Sequence, residues 1–244
     1  MNLVIDLGNT RAKAALFKER EIIEQYSFES RLSVAELQKI FKKHPEIKNS
    51  IIASVLNHSK EITNFLSNHS HWIPFNSDTK LPITNNYKTP ETLGKDRIAS
   101  VIGAWVLFKN ENVLVIDVGT CIKIDVLTAK GEYLGGSISP GINMRFKALN
   151  YYTDKLPVMS VDKNYHSLTG ANTSESILSG VQNGSLYELK GFINAYSEQY
   201  SNLKIILTGG DASFFELELK NHIFACPELV LMGLNEILLF NATK

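Results

Sequence analysis

Two short segments place an aspartate and a glycine at the end of an apolar run. Leu3–Gly8 and Leu114–Gly119 agree at five of six positions, and the second lies 111 residues after the first. The aspartates are Asp6 and Asp117. Glycine lets the backbone approach a ligand closely, nearby N–H groups and hydroxyls can bind phosphate oxygens, and a carboxylate can hold a cation. Together the two copies predict a phosphate clamp, whereas one copy alone would be explained as well by a turn that ends a strand.

A second candidate for chemistry is an acidic residue at the start of an apolar helix. The pattern of residues 94–109 predicts a helix that begins near Gly94, which puts Asp96 in its first turn. The helix dipole favours an ionised carboxylate there. Such a carboxylate could accept a proton from a substrate hydroxyl during phosphoryl transfer. The alternative is an N-terminal helix acid that pairs with Arg97.

The elements around these residues indicate an α/β fold with an internal duplication. Strands are predicted at 2–6, 12–17 and 21–28, followed by alternating helices and strands, and a similar meander follows the second apolar run. Residues 76–93 are polar and contain two prolines, which predicts a long loop over a site. A long helix is expected from about 174 to 200. We predict two domains, 1–111 and 112–244, with a cleft between them.

Composition excludes several classes of protein. The 244 residues contain 25 Lys and Arg and 25 Asp and Glu, so the net charge is zero and a dedicated nucleic-acid binder is not expected. No apolar run approaches the roughly 18 residues that a membrane span needs. Two cysteines without metal-ligand spacing predict neither a disulfide framework nor a zinc site. A cytoplasmic location fits this pattern best.

The nucleotide-binding motifs resemble one superfamily. Neither a Walker A pattern nor a Gly-x-Gly-x-x-Gly motif is present. The paired Asp-x-Gly loops resemble the actin, sugar-kinase and Hsp70 superfamily, which implies two duplicated ribonuclease-H-like (actin-like ATPase) domains with ATP in the cleft. Four further segments carry a closer resemblance: Tyr87–Pro90, Gly94–Arg97, Gly135–Gly141 and Thr169–Thr173. With the two loops, they resemble the type III pantothenate kinases along nearly the whole chain.

This resemblance implies a reaction and a substrate pocket. The reaction is ATP-dependent phosphorylation of pantothenate to 4'-phosphopantothenate, the first step of coenzyme A biosynthesis, with Asp96 as general base. The implied pantothenate-binding residues are Tyr87, Gly94, Lys95, Asp96, Arg97 and Thr173, the last from a partner subunit. Arg97 can bind a carboxylate bidentately, and pantothenate carries one. Thr173 could instead be a helix N-cap.

The resemblance also implies the ligands of ATP and of metal ions. The implied ATP-binding residues are Asp6, Gly8, Asn9, Thr10, Lys13, Thr120, Gly209 and Gly210. Magnesium would be held partly by Asp6 through water, and a monovalent cation, K+ or NH4+, by Asp117. Lys13 could equally be a solvated lysine at a strand edge, and Gly209-Gly210 a plain strand-to-helix turn.

Lys123 departs from the family pattern, which typically has a small or hydroxyl residue at this position. A lysine there could supply the charge that the monovalent cation supplies in other members. If its side chain points away from the site, the departure has no consequence.

Two rival functions also fit the sequence. One is a kinase of the same fold that acts on a sugar or an acetate-like acid. The other is a non-catalytic nucleotide-binding accessory or regulatory protein, although such a protein has no need of a base at Asp96. The resemblance further implies a homodimer, for which the apolar helix 94–109 offers a surface.

Overall fold

The protein has eleven strands and eight α-helices in the part of the chain that its computed structural model describes, residues 1–8, 11–29, 32–54, 60–219 and 223–242. The strands are β1 (Asn2–Leu7), β2 (Ala12–Lys18), β3 (Glu21–Phe28), β4 (Asn49–Ser54), β5 (His71–Ile73), β6 (Thr84–Asn85), β7 (Val113–Val118), β8 (Cys121–Leu127), β9 (Glu132–Pro140), β10 (Lys204–Thr208) and β11 (Phe224–Ala225). The helices are α1 (Val34–Lys43), α2 (Lys60–His69), α3 (Lys95–Leu107), α4 (Ile142–Tyr151), α5 (Thr173–Leu178), α6 (Gly184–Gln199), α7 (Ala212–Leu219) and α8 (Leu229–Ala242).

Backbone contacts divide the chain into two compact units. The first contains Met1–Asn110, Leu127–Gly135 and Glu228–Lys244, and the second contains Glu111–Val126 and Gly136–Pro227. The C-terminal helix α8 therefore belongs with the first unit. The division into domains 1–111 and 112–244, and the cleft between them, stay predictions.

The two sheets repeat one strand order, which confirms the duplicated α/β fold. The first has the order β3-β2-β1-β4-β5, and the second has β11-β10-β7-β8-β9-β6. Counted from β7, the second sheet repeats the first and adds β6 at its edge. In both, the fourth strand of the repeat runs parallel to the first strand. The apolar runs that the sequence repeats are thus the central strands.

Each repeat has a core of its own, because its central strand is apolar on both faces. Leu3 and Ile5 of β1 are fully buried with Leu37 of α1 and Leu66 of α2. In the second unit, Leu114 and Ile116 of β7 pack in a cluster with residues of β8, α4, α6 and α7. Such continuous apolar runs are typical of strands that are covered on both faces.

The position of α3, which carries Asp96, is fixed by close packing against α8. A Cβ at Gly103 of α3 would lie 2.2 Å from the carbonyl oxygen of Leu229, and one at Gly233 of α8 would lie 1.7 Å from that of Ala99. The two glycines therefore let the helix backbones touch. Residues 97–104 are buried throughout, as expected for a helix that is apolar on all sides.

Polar contacts fix α8 on the first sheet. The amide of Asn235 donates to the backbone oxygen of Glu19 at 2.7 Å and accepts from the amide of Asn2 at 3.0 Å. Next to it, the guanidinium of Arg20 donates to both carboxylate oxygens of Glu236, at 2.8 and 2.9 Å. Asn235 and Glu236 thus enter the interior with hydrogen-bond partners, which offsets the cost of burying polar groups.

Two sequence-based expectations need correction. Residues 76–93, predicted to be a long loop, contain β6 and a short 3-10 helix, Pro90–Thr92. A strand of two residues has no readable period, and its partner β9 is distant in sequence. The long helix predicted at 174–200 is interrupted by a π-helical segment, Ser179–Asn183. None of the helices within the described residues has both the length and the hydropathy of a membrane-spanning segment.

Candidate active site

Asp96 lies in the first turn of α3, folded back over the residue before the helix. Gly94 is the N-cap, and the Oδ1 atom of Asp96 lies 2.7 Å from the point where a Cβ of Gly94 would stand. Gly94 has no side chain with which to cap this helix end, and Asp96 is half-buried. The absence of a Cβ at Gly94 therefore leaves the space in which the carboxylate lies.

Arg97 and Tyr87, both predicted to bind substrate, are in contact. The guanidinium carbon of Arg97 lies 5.4 Å from the centroid of the Tyr87 ring, and its Nη1 lies 3.5 Å from the hydroxyl. Arg97 is only 4% exposed. A cation–π contact of this kind orients a guanidinium that has little water around it. The structure thus brings Tyr87, Gly94, Asp96 and Arg97 together in the first unit.

Two residues that the sequence analysis did not select as site residues support Tyr87. Tyr133 of β9 is fully buried and stacks on the Tyr87 ring, with centroids 6.0 Å apart. Gly135 has φ +98°, and a Cβ there would lie 3.1 Å from the Tyr87 ring. The glycine-rich segment 135–141 is a sequence signal that could have identified Gly135 as a site residue. No local pattern in the sequence indicates that Tyr133 stacks on Tyr87.

Lys95 lies between Gly94 and Asp96 at the start of α3 and is half-buried. Burial lowers the pKa of its ammonium group from the usual value. The physical cause is the loss of water around the charged form, which disfavours it. The neutral amine is therefore more populated than in an exposed lysine at the same pH.

The first Asp-x-Gly loop lies at the end of β1. The N–H of Gly8 donates to the carbonyl oxygen of Arg11, the residue before β2, at 3.1 Å. Lys13 stands directly opposite Asp6 in the antiparallel ladder, so both side chains extend from the same face of the sheet. Asn9 and Thr10, predicted to bind ATP, lie outside the described residues.

The second Asp-x-Gly loop lies at the end of β7 and includes an ion pair. The N–H of Gly119 donates to the carbonyl oxygen of Cys121 at 3.0 Å, as Gly8 does to Arg11 in the first loop. The Nζ atom of Lys123 lies 2.6 Å from Oδ2 of Asp117. Thr120 is exposed at the tip of the turn. The side chain of Lys123 therefore points toward the loop and not away from it.

Gly209 packs directly against this loop. It has φ +101°, and a Cβ there would lie 2.2 Å from the carbonyl oxygen of Val118 and 2.5 Å from Oδ1 of Asp117. Only glycine fits this position, and its role in ATP binding stays a prediction. Gly210 is exposed and has open space where a Cβ would stand. Within the second unit, Asp117, Gly119, Lys123 and Gly209 are thus adjacent.

Thr173 is the first residue of α5 and is exposed, but it is not the N-cap. Asn172 takes that role, and its side-chain oxygen accepts from the N–H of Glu175 at 3.0 Å. The alternative that Thr173 is the helix N-cap is therefore wrong, because the N-cap is the preceding residue. Its hydroxyl remains a candidate ligand on an exposed helix start.

The comparison with known proteins decides the family. A family model described as type III pantothenate kinase matches residues 2–195. The chain belongs to the type III pantothenate kinase family. A relative of that name from Christiangramia forsetii is 43% identical over 244 residues, which cover 100% of both chains. The match along the full length confirms the predicted kinase family.

Solved structures support the fold. A structure described as a Baf family transcriptional activator from Campylobacter jejuni has a TM-score of 0.67 at 21% identity, covering 99% of this chain and 100% of that chain. A protein described as an N-acetylmannosamine kinase from Listeria monocytogenes has a TM-score of 0.60 at 15% identity, covering 99% of both chains. At these identities the likeness shows the fold alone. That fold is the one shared by sugar kinases and actin-like ATPases.

Proposed function

We propose that the protein transfers the γ-phosphoryl group of ATP to the 4'-hydroxyl of pantothenate, the first step of coenzyme A biosynthesis. Family membership supports the reaction. The observation that carries the proposal for this chain is the start of α3, where the Asp96 carboxylate folds over Gly94 next to the buried Arg97. A carboxylate and a guanidinium on adjacent residues provide a base and an anion ligand for one small hydroxy acid.

Asp96 is the proposed general base. Its carboxylate accepts the proton of the 4'-hydroxyl as the new oxygen–phosphorus bond forms and the bond from the γ-phosphorus to ADP breaks. The half-buried position limits the water that competes for the carboxylate. Gly94 contributes by leaving room for this orientation.

Arg97 is the proposed ligand of the pantothenate carboxylate. Its guanidinium is 4% exposed, and a charged group so placed gains from a carboxylate partner. Tyr87 holds the guanidinium by its ring face. Lys95, with its lowered pKa, is proposed to line the same pocket. Thr173 is proposed to reach the pocket of a partner subunit.

The two loops are the proposed phosphate ligands. The N–H groups, hydroxyls and charges that phosphate needs would come from Asp6, Gly8, Asn9, Thr10 and Lys13 in the first unit and from Thr120 in the second. Gly209 and Gly210, which follow β10, are proposed to bind the adenosine part of ATP. The half-buried carboxylate of Asp6 fits a magnesium ion that keeps several waters, and no cluster of three or more metal ligands is found among the described residues. Bound there, magnesium would neutralise phosphate charge.

We also propose a cytoplasmic homodimer. The apolar helix α3, the surface suggested by the sequence, is unsuitable because its residues 97–104 are buried within the chain against α8. Another candidate for the dimer interface is the surface around Tyr151 and Tyr152 of the second unit, which are 80% and 81% exposed. Light scattering of the purified protein would test the dimer, and a monomer at micromolar concentration would contradict it.

The test of the reaction is the Asp96→Asn variant. With ATP, magnesium and pantothenate, the wild-type protein should form phosphopantothenate, whereas the variant should lose about a hundredfold or more in kcat. ATP affinity, measured by calorimetry, should stay within about twofold because the variant keeps the size of the side chain. Glu91→Gln, which neutralises an exposed acid nearby, is the matched control and should retain full activity.

The remaining outcomes separate the rival functions. Competing sugars and acetate-like acids in an ADP-release assay would reveal another acceptor. ATP binding without turnover on any acceptor would indicate a non-catalytic nucleotide-binding protein. Unfolding of Asp96→Asn, with loss of the helix signal, would assign Asp96 a structural role.

A further inference from the structure

The carboxylate of Asp117 already has a cationic partner within the chain. Oδ2 lies 2.6 Å from Nζ of Lys123, and the two side chains are 13% and 18% exposed. Asp117 is on β7 and Lys123 is on β8, the neighbouring strand of the sheet. The ion pair therefore joins the strands that precede and follow the second Asp-x-Gly loop.

The other oxygen of Asp117 lies close to the Gly209 backbone. Oδ1 faces Gly209 so closely that a Cβ there would lie 2.5 Å away. A bound cation needs several oxygen ligands arranged around it. Asp117 is poorly suited to such a shell because Lys123 occupies the Oδ2 side and the aspartate side chain is only 13% exposed. A second positive ion beside the carboxylate would also be repelled by the ammonium group.

We propose that Lys123 takes the place of the monovalent cation at Asp117, so that nucleotide binding in this protein does not depend on K+ or NH4+. The ammonium group is a compact charge with three donors, and its size and charge match those of an ammonium ion. The backbone fixes it in place, so it needs no uptake from solution. This inference rests on the proposed function, because it takes the second Asp-x-Gly loop to be part of the nucleotide site of a kinase.

Position in the sheet explains why a lysine can do this. Cys121, Lys123 and Asp125 alternate with Ile122 and Ile124 along β8, and the isoleucines pack in the core. Lys123 thus extends from the opposite face. The first repeat has a related arrangement, with Lys13 opposite Asp6 on the neighbouring strand. In both repeats, a lysine accompanies the aspartate at the end of the central strand.

The decisive experiment measures the affinity for ADP with magnesium by calorimetry, in choline chloride and in KCl at equal ionic strength. For the wild-type protein we expect dissociation constants within about twofold of each other. Lys123→Ser should bind about tenfold more weakly in choline chloride and regain affinity in KCl or NH4Cl. Lys130→Ser, at an exposed turn after the same strand, is the matched control and should behave as the wild type.

Two results would overturn the inference. One is a wild-type affinity that rises about tenfold with KCl, and the other is a Lys123→Ser variant that binds as the wild type does in choline chloride. The wild-type comparison is decisive even if the variant fails to fold. Pantothenate is not needed for it, so a protein that binds ADP equally in both salts yet forms no phosphopantothenate would refute the proposed function alone. Absence of ADP binding in both salts would count against both proposals.

Discussion

Oδ1 of Asp96 lies 2.7 Å from the point where a Cβ of Gly94 would stand. The backbone of Gly94, with φ −57° and ψ 127°, is open to any residue, so the steric conflict with Asp96 is the main reason for glycine at this position. The orientation of the proposed base is thus coupled to the residue two positions before it.

Gly94→Ala should reduce activity by displacing the Asp96 carboxylate. We expect kcat for pantothenate phosphorylation to fall by about tenfold to a hundredfold, because small displacements of a catalytic group are costly. Stability should fall by about 1 kcal/mol at most, the difference between alanine and glycine at an N-cap. Steady-state kinetics and urea unfolding measure the two effects.

Gly191→Ala is the control for this substitution. Gly191 lies within α6 and is exposed, and a Cβ there would extend into open space. Alanine there should raise stability by about 0.5–1 kcal/mol and leave kcat unchanged. A Gly94→Ala variant with wild-type kcat would show that Asp96 does not need its present orientation.

Gly135→Ala should weaken pantothenate binding through Tyr87. The residue has φ +98°, and its Cβ would press on the Tyr87 ring from 3.1 Å. We expect a loss of about 1–3 kcal/mol in stability from the strained backbone. The KM for pantothenate should rise more than kcat falls, because the ring that orients Arg97 moves while Asp96 does not.

Tyr87→Phe is the companion variant for that experiment. It keeps the ring over Arg97 and removes only the hydroxyl at 3.5 Å, so its KM should change by less than about threefold. If Gly135→Ala raises KM no more than Tyr87→Phe does, the ring does not position Arg97.

Gly233→Ala should destabilise the protein through α3. A Cβ there would lie 1.7 Å from the carbonyl oxygen of Ala99, so α3 and α8 would have to separate. We expect a loss of about 3 kcal/mol or more in the free energy of unfolding, the upper end of the cost of overpacking. Urea denaturation measures it, with Gly191→Ala again as the control. A loss below about 1 kcal/mol would show that the helices can separate easily.

Lys95 should react with amine reagents at a lower pH than an ordinary lysine. Burial lowers its pKa, so the fraction of neutral, nucleophilic amine rises earlier as the pH increases. Acetylation over a pH series, read by mass spectrometry of peptides, should give Lys95 a midpoint below 10.5, the ordinary value. A short unstructured peptide with a single lysine calibrates the scale. An acetylation midpoint for Lys95 at or above that of the peptide lysine would show that burial does not lower its pKa.

The same shift has a consequence for stability. Between the lowered pKa of Lys95 and 10.5, Lys95 is protonated more often in the unfolded chain than in the folded one. The contribution of Lys95 to the free energy of unfolding therefore rises with pH across that window. Below the window, burial of the charged form costs stability. Lys95→Met should remove this dependence, which urea unfolding at several pH values up to 10.5 would show.

The sequence by itself determined the repeated apolar strands, the duplicated α/β fold and the start of α3 with Asp96 and Arg97. These features depend on residues near one another in the chain, where periodicity and spacing are informative. It also singled out Lys123 as a departure but left the direction of its side chain open.

Only the tertiary structure decided which distant residues meet. Tyr133 stacks on Tyr87, α8 returns to the first sheet, and Lys123 forms an ion pair with Asp117 on the neighbouring strand. The physical reason is that alternation along a strand fixes two faces, whereas pairing between strands and packing of helices fix what lies opposite each face.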